Sequence, residues 1–195
     1  GGGAVQPRDE GMNRARRWAG WQSRALAGAG FTGLQIALAG CGDSDGEFAD
    51  ASWERWVSDV CEAAQWLRER TGRAPWLWGL RVGCLVAAES ARKMSPSPNL
   101  LFWNPVLSGT QFLQQFLRLK VAAQIVASAG TTRVDTSELR ERLMQGTSVE
   151  VAGYELSPAL AHGLDAAVLS PVPGNSGVVW MEVANASDGK LSPAA

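Results

Sequence analysis

The chain has 195 residues, of which 18 are Lys or Arg and 19 are Asp or Glu, so its formal net charge is −1. This length suits one domain with a sizeable core. No excess of basic residues is present to displace counterions from a phosphate backbone, so the composition argues against nucleic-acid binding.

Apolar runs and cysteines indicate the compartment. The apolar stretches are interrupted by Gly, Gln or Arg before the roughly 18 residues that a membrane-spanning helix needs, so we expect no transmembrane segment. Cys41, Cys61 and Cys84 form no C-x-x-C pair, and no basic-then-apolar leader is visible. We therefore expect a cytoplasmic protein. The Gly-rich start without Met is typical of a cut edge or a tag remnant, so residues 1–10 are expected to be an irregular end. The polar tail that ends in Ser, Pro and Ala makes residues 186–195 the second expected irregular end.

The first part of the chain predicts a helix, a strand and a loop. Apolar positions recur at helical spacing over residues 12–27, and glycines follow them. Residues 31–38 are an apolar run of strand length, which the glycine-rich loop 40–46 ends. Asp50 or Ser52 can cap the next helix.

Later segments alternate between strand and helix. The predicted elements are a helix over 53–71, a strand over 75–80, a helix over 82–94 and a strand over 99–105. Such segments form βαβ units on a parallel sheet, so the predicted class is α/β, with helices on both faces.

The second half changes character, and we interpret residues 108–170 as a small helical cap inserted into a single domain. Its predicted elements are helices over 111–127 and 137–144, a strand-like segment over 148–156 and a short helix that Ser157 and Pro158 begin. Residues 178–183 restore the pattern of a buried strand.

One motif carries most of the functional information. Gly79-Leu80-Arg81-Val82-Gly83 connects a buried strand directly to an Ala-rich helix, which is the context of the nucleophile elbow G-x-S-x-G. The glycines allow close packing of the turn, and the central residue projects at the carboxyl end of the sheet. That residue is Arg81.

Five segments of the chain resemble the exosortase A system-associated hydrolases of the second type, a group of the α/β-hydrolase superfamily. They are MNRARRWAGWQSRALAGAGF, GCGDSDGEFADASWERWVSDV, WLWGLRVG, LLFWNPVLSGTQFLQQFLRL and VEVAGYELSP. The resemblance implies a bacterial protein linked to exopolysaccharide production and protein sorting. It also implies that Arg at the elbow is usual for the group, and that the strand leading into Met12 and the earliest strands lie upstream of Gly1.

The residues of a serine hydrolase are not all visible. Arginine stays protonated and has no lone pair to offer, so Arg81 can be neither nucleophile nor base. His162 precedes the last predicted strand, whereas the superfamily's histidine follows the final strand, and we expect it to be a surface or packing residue. Cys84 is expected to be a small buried packing residue rather than a substitute nucleophile.

Two interpretations of Arg81 remain open. In the first, Arg81 with its neighbours Leu80 and Val82 binds a carboxylate or phosphate above a helix N-terminus. Asp43 and Ser44, in the glycine-rich loop, are expected beside this site as further ligand contacts, although Asx turns explain the same residues. In the second, Arg81 forms an ion pair with Asp43, Asp45 or a carboxylate near the end of the last strand.

The sequence therefore leaves competing functions. One is a hydrolase or acyl transferase, which the resemblance implies. Another is a non-catalytic module that binds an anionic small molecule or a partner protein of the exosortase and exopolysaccharide system. A third is a fragment without independent function. No cofactor and no metal ion is expected.

Overall fold

The computed structural model describes residues 2–5, 12–41, 47–127, 135–172, 174, 177–183, 189–193 and 195. The strands are β1 (Gly2–Val5), β2 (Gly33–Gln35), β3 (Trp76–Leu80), β4 (Asn99–Trp103), β5 (Val149–Val151), β6 (Tyr154–Leu156) and β7 (Val178–Met181). The helices are α1 (Met12–Gly28), α2 (Trp53–Thr71), α3 (Gly83–Lys93), α4 (Gly109–Ala127), α5 (Thr136–Met144) and α6 (Pro158–Ala166), with a 3-10 turn at Phe48–Asp50.

Five strands form one sheet in the order β2-β1-β3-β4-β7, and every neighbouring pair is parallel. A parallel pair cannot be closed by a tight hairpin, so each connection crosses over, and α1 and α3 are the helices of two such connections. The predicted α/β class with a parallel sheet is confirmed.

The strand that leads into α1 corrects one expectation. It lies at Gly2–Val5, inside the chain, and pairs with both β2 and β3. The Gly-rich start predicts an irregular end, and the resemblance implies that this strand lies upstream of Gly1. Glycine is a poor strand former, so the local pattern does not indicate a strand. The strands on both sides bond to the backbone of β1 and stabilise an extended conformation that its local sequence disfavours.

The chain divides into two compact units. The first contains Gly1–Leu38, Val57–Leu107 and Leu169–Ala195, and the second contains Ala39–Trp56 and Ser108–Val168. The second unit includes most of the segment that we interpreted as a cap, and that interpretation stays a prediction.

In the first unit, small side chains let α3 pack closely on the sheet. Eight of its residues are buried, and Ser90 is satisfied there because its hydroxyl donates to the Val86 carbonyl at 2.8 Å. Alternate residues of β3 and β4, including Leu77, Leu100 and Phe102, are buried. The period-two pattern of a strand thus gives the sheet one well-covered face.

The second unit contains α4, α5, α6 and a β-hairpin. Ser157 caps α6, since its hydroxyl oxygen accepts from Leu160 N at 3.0 Å and Pro158 follows at the first turn, as predicted. The strand-like segment 148–156 was wrong as one strand: Ala152 and Gly153 have φ values of 51° and 82° and form a two-residue turn between β5 and β6. Positive φ at both positions is the signature of a hairpin turn whose twist matches its strands.

Ser52 caps α2, with its hydroxyl oxygen accepting from Arg55 N at 3.1 Å, so of the two predicted caps Ser52 is used.

No helix within the described ranges is both long and apolar enough to cross a membrane. The cytoplasmic location stays a prediction.

Candidate functional site

The turn from β3 into α3 is the candidate site. Only Arg81 and Val82 separate the strand from the helix. Arg81 N donates to Trp103 O of the neighbouring strand at 3.0 Å, and Cys84 N donates to Arg81 O at 3.1 Å. The turn is therefore bonded to the sheet on one side and to the first turn of α3 on the other.

Gly79 makes this turn possible. A Cβ added at Gly79 would lie 2.6 Å from both Cα and N of Cys84 and 2.7 Å from Gly83 O. Any larger residue would push the backbone of α3 away from the strand, because all three atoms are main chain. The predicted role of this glycine in close packing of the turn is confirmed.

Arg81 has an unusual backbone conformation. Its φ is 52°, a left-handed value that costs an L-residue about 1–2 kcal/mol. Glycine would relieve this strain, yet an arginine is present. Strained residues that the surrounding structure holds in place occur preferentially at functional sites. The backbone thus marks Arg81 independently of its charge.

The Arg81 residue is half-buried at the carboxyl edge of the sheet. Within the described ranges its guanidinium forms no salt bridge and no hydrogen bond. Asp43, Ser44 and Asp45, which the sequence analysis placed beside it, lie outside the described residues. The two interpretations of Arg81 therefore both stay predictions.

Glu182 is the carboxylate near the end of the last strand, and groups other than Arg81 donate hydrogen bonds to it. Glu182 accepts from Trp180 Nε1 at 2.8 Å and from Ser192 N at 2.8 Å and Ser192 Oγ at 2.7 Å. These donors, first the Ser192 backbone, hold the pKa of Glu182 below its usual value. Glu182 is therefore not the ion-pair partner of Arg81 in the described structure.

Cys84 is a packing residue, as predicted. Its side chain is fully buried, and Sγ lies 3.9 Å from Trp103 O. Burial raises the pKa of the Cys84 thiol from 9.0 to about 12, so the thiolate that a nucleophile needs is essentially absent near neutral pH.

His162 lies on α6 in the second unit, and its side chain is exposed. In the part of the chain that the structure describes, it forms no hydrogen bond with a carboxylate. It is the surface residue that the sequence indicated. Among the described residues, no three His, Cys, Asp or Glu side chains are grouped so that they could hold a metal ion.

Sequence reasoning missed Asn104, which follows β4 as Arg81 follows β3. Its φ is 45°, and Asn104 N donates to Met181 O at 2.6 Å. Leu80 and Trp103 are register partners, so Arg81 and Asn104 are the next residues along adjacent strands. The Asn-Pro dipeptide at 104–105 is a turn signal that could have drawn attention to it.

The chain matches no protein-family model and no curated protein. Solved structures are similar to it at low identity. A monoacylglycerol lipase from Paleococcus ferrophilus is 16% identical, with a TM-score of 0.53 over 93% of this chain and 83% of the other. The mouse alpha/beta hydrolase domain-containing protein 10 is 17% identical, with a TM-score of 0.53 over 93% of this chain and 68% of the other.

Est1E from Butyrivibrio proteoclasticus, solved with ferulic acid bound, is 14% identical, with a TM-score of 0.50 over 84% of this chain. The chain spans 59% of the length of Est1E. At these identities the likeness concerns the fold and not the activity. The chain has an α/β-hydrolase-like fold, with a parallel sheet flanked by helices.

Proposed function

We propose that this α/β-hydrolase-like protein binds an anionic ligand at Arg81, which takes the position of the nucleophile in the elbow between β3 and α3. The observation that carries the proposal is a half-buried, strained arginine whose guanidinium has no partner among the described residues. A carboxylate or a phosphate is the ligand group of matching charge and shape.

The chemistry of arginine excludes an acyl-enzyme at this position. The guanidinium remains protonated at any ordinary pH and offers no lone pair for attack on a carbonyl carbon. The same group presents two parallel N–H donors, which fit two oxygens of a carboxylate or phosphate. The substitution therefore removes bond-making and favours anion binding at one site.

The position of Arg81 adds to its attraction for anions. Arg81 directly precedes the N-terminus of α3, an 11-residue helix. The Cys84 and Leu85 N–H groups of α3 already donate to Arg81 O and Val82 O, so the helix end contributes through its aligned peptide dipoles, which place about half a positive charge there. The guanidinium and the helix end thus attract the same kind of group.

Thermal denaturation with inorganic phosphate tests the proposal. At a phosphate concentration about ten times Kd, binding adds about 1.4 kcal/mol to the free energy of unfolding, which raises Tm by about 3–6 °C for a chain of this size. Arg81→Gly should abolish the rise. Glycine is the suitable replacement because it adopts φ near 52° without strain.

Arg73→Ala is the matched control, because Arg73 is an exposed arginine just before the other end of β3. This variant should keep the full response to phosphate. If wild type and Arg81→Gly respond equally, Arg81 does not bind the anion and the proposal fails.

A second candidate function is hydrolysis or acyl transfer. It is favoured by the elbow geometry and by fold likeness to proteins that include a monoacylglycerol lipase. It requires a nucleophile other than Arg81. A serine-directed fluorophosphonate probe distinguishes the two functions: stoichiometric labelling that disappears when one serine is mutated would support hydrolysis, and no labelling is expected for an anion-binding module.

We also propose a biological setting, exopolysaccharide production and exosortase-dependent protein sorting. Its support is the resemblance of five sequence segments, among them WLWGLRVG, which contains the arginine of the elbow. In that setting the anionic ligand is a small molecule or an acidic group of a partner protein. Deletion of the gene should alter exopolysaccharide yield or surface-protein sorting, and an unchanged phenotype in both assays would contradict the setting.

A further inference from the structure

We propose that Asn104 is a second ligand-binding residue of the Arg81 site, and that the ligand is a phosphate monoester with a hydroxyl group close to the phosphate. This inference rests on the proposed function of Arg81 as an anion-binding residue. It adds the chemical class of the ligand and a residue that recognises its neutral part.

The backbone brings the two residues together. Arg81 N donates to Trp103 O at 3.0 Å, and Val106 N donates back to Arg81 O at 3.3 Å. Asn104 therefore lies in the segment 103–106, and both ends of this segment are hydrogen-bonded to the backbone of Arg81. Adjacent parallel strands are about 4.8 Å apart, so one small ligand can reach both residues.

Asn104 is strained in two ways. Its φ is 45°, in the left-handed region. Pro105 follows it, and a residue before proline favours extended backbone with φ near about −120°. Asparagine tolerates the left-handed region better than most residues, but the following proline removes that advantage. The neighbouring strand β7 holds the conformation through the bond from Asn104 N to Met181 O, at 2.6 Å.

Ala152, the remaining non-glycine residue with positive φ among the described residues, is a purely structural case. Ala152, at φ 51°, lies in the two-residue hairpin turn between β5 and β6, and its conformation is explained by that turn alone. Arg81 and Asn104, in contrast to Ala152, directly follow two neighbouring strands at the same edge of the sheet, and both have polar side chains.

The Asn104 side chain is available for a ligand. It is half-buried, and within the described ranges its amide makes no hydrogen bond. A primary amide both donates and accepts, so its natural partner is a hydroxyl group, which does the same. Beside a guanidinium, an amide thus matches a ligand in which a hydroxyl lies next to the anion.

Phosphate fits the anionic part better than carboxylate. The guanidinium takes two oxygens, and a third can face the positive end of α3, where the N–H groups of Val82 and Gly83 have no partner among the described residues. A carboxylate has two oxygens, whereas a phosphate monoester has three besides the ester oxygen. The site therefore favours a hydroxylated phosphate monoester.

Isothermal titration calorimetry of the whole chain with two matched ligands tests this inference. Glycerol 3-phosphate carries hydroxyl groups, and propyl phosphate has the same carbon chain without them. We expect the wild type to bind glycerol 3-phosphate about three- to tenfold more tightly, as one additional neutral hydrogen bond gives. Asn104→Gly should lose this preference and bind the two ligands with about equal affinity, since glycine accepts positive φ and removes the amide.

Ala152→Gly is the control, because it relieves the same kind of strain away from the site. It should keep the preference for glycerol 3-phosphate. Equal affinity of the wild type for both ligands, or a preference that persists in Asn104→Gly, would overturn the role of Asn104 and leave the proposed function standing. Binding of neither ligand, or binding unaffected by Arg81→Gly, would overturn the proposed function and this inference together.

Discussion

Replacing Gly79 by alanine should damage the turn that presents Arg81. The added Cβ would lie 2.6 Å from two main-chain atoms of Cys84, which is 0.8 Å short of the 3.4 Å at which ordinary contact begins. Main-chain atoms cannot rotate away as a side chain does, so β3 and α3 must separate. Overpacking of this kind costs about 3 kcal/mol, at the upper end of the usual range.

For a chain of this size a loss of about 3 kcal/mol lowers Tm by about 6–12 °C. Circular dichroism during heating, repeated as a urea titration, measures this loss. Gly20→Ala is the matched control: in α1 its Cβ would meet only Arg24 Nη1, at 3.7 Å. Alanine is the better helix former, so this variant should gain about 0.5–1 kcal/mol.

A Gly79→Ala variant that melts within about 2 °C of the wild type would contradict this prediction. Such a result would mean that α3 lies farther from β3 than it does in the structure. The turn would then not hold Arg81 in the position described above. Phosphate binding should also decrease in Gly79→Ala, because the separation of β3 and α3 displaces Arg81 from Trp103.

Two further predictions concern the core of each unit. The Cys84 thiol has a folded pKa of about 12 against an ordinary 9.0, so folding favours its neutral form and stability should decrease as pH rises above 9. Relative to Cys84→Ala, the free energy of unfolding of the wild type should fall by about 2 kcal/mol between pH 8 and pH 10.5, which lowers the urea midpoint. If the stabilities of the two proteins change with pH in parallel, the burial of this thiol is contradicted. Gly163→Ala would place a Cβ 2.1 Å from Trp53 Cβ and should lower Tm by several degrees, whereas Gly28→Ala, with nothing within 4 Å, should not; equal melting of the two variants would contradict this packing.

Much of the first unit could be predicted from the alternation of apolar runs. Residues 75–80 and 99–105 were expected as strands, and the structure has β3 at Trp76–Leu80 and β4 at Asn99–Trp103. The helix predicted between them, over residues 82–94, requires a crossover connection, and a crossover makes the two strands parallel. The elbow was predictable for the same reason, since a strand that runs into a helix without a loop requires a glycine on the packed side.

Other features depended on contacts that are distant along the chain. The strand β1 has the glycine-rich sequence GGAV, and only pairing with β2 and β3 makes it a strand. Segment 148–156 alternates like one strand, but Val149 pairs with Leu156 within one hairpin.

Periodicity, glycine and a permanent cation are local properties, so the amino-acid sequence alone predicts the α/β class, the turn at residues 79–83 and the chemistry of its central residue. The position of Asn104 beside Arg81 depends on the folded structure, because 22 intervening positions separate them in the sequence and the pairing of β3 with β4 brings them together. The strain at Asn104 was likewise invisible in the sequence, since its backbone angle is set by the neighbouring strand that holds it.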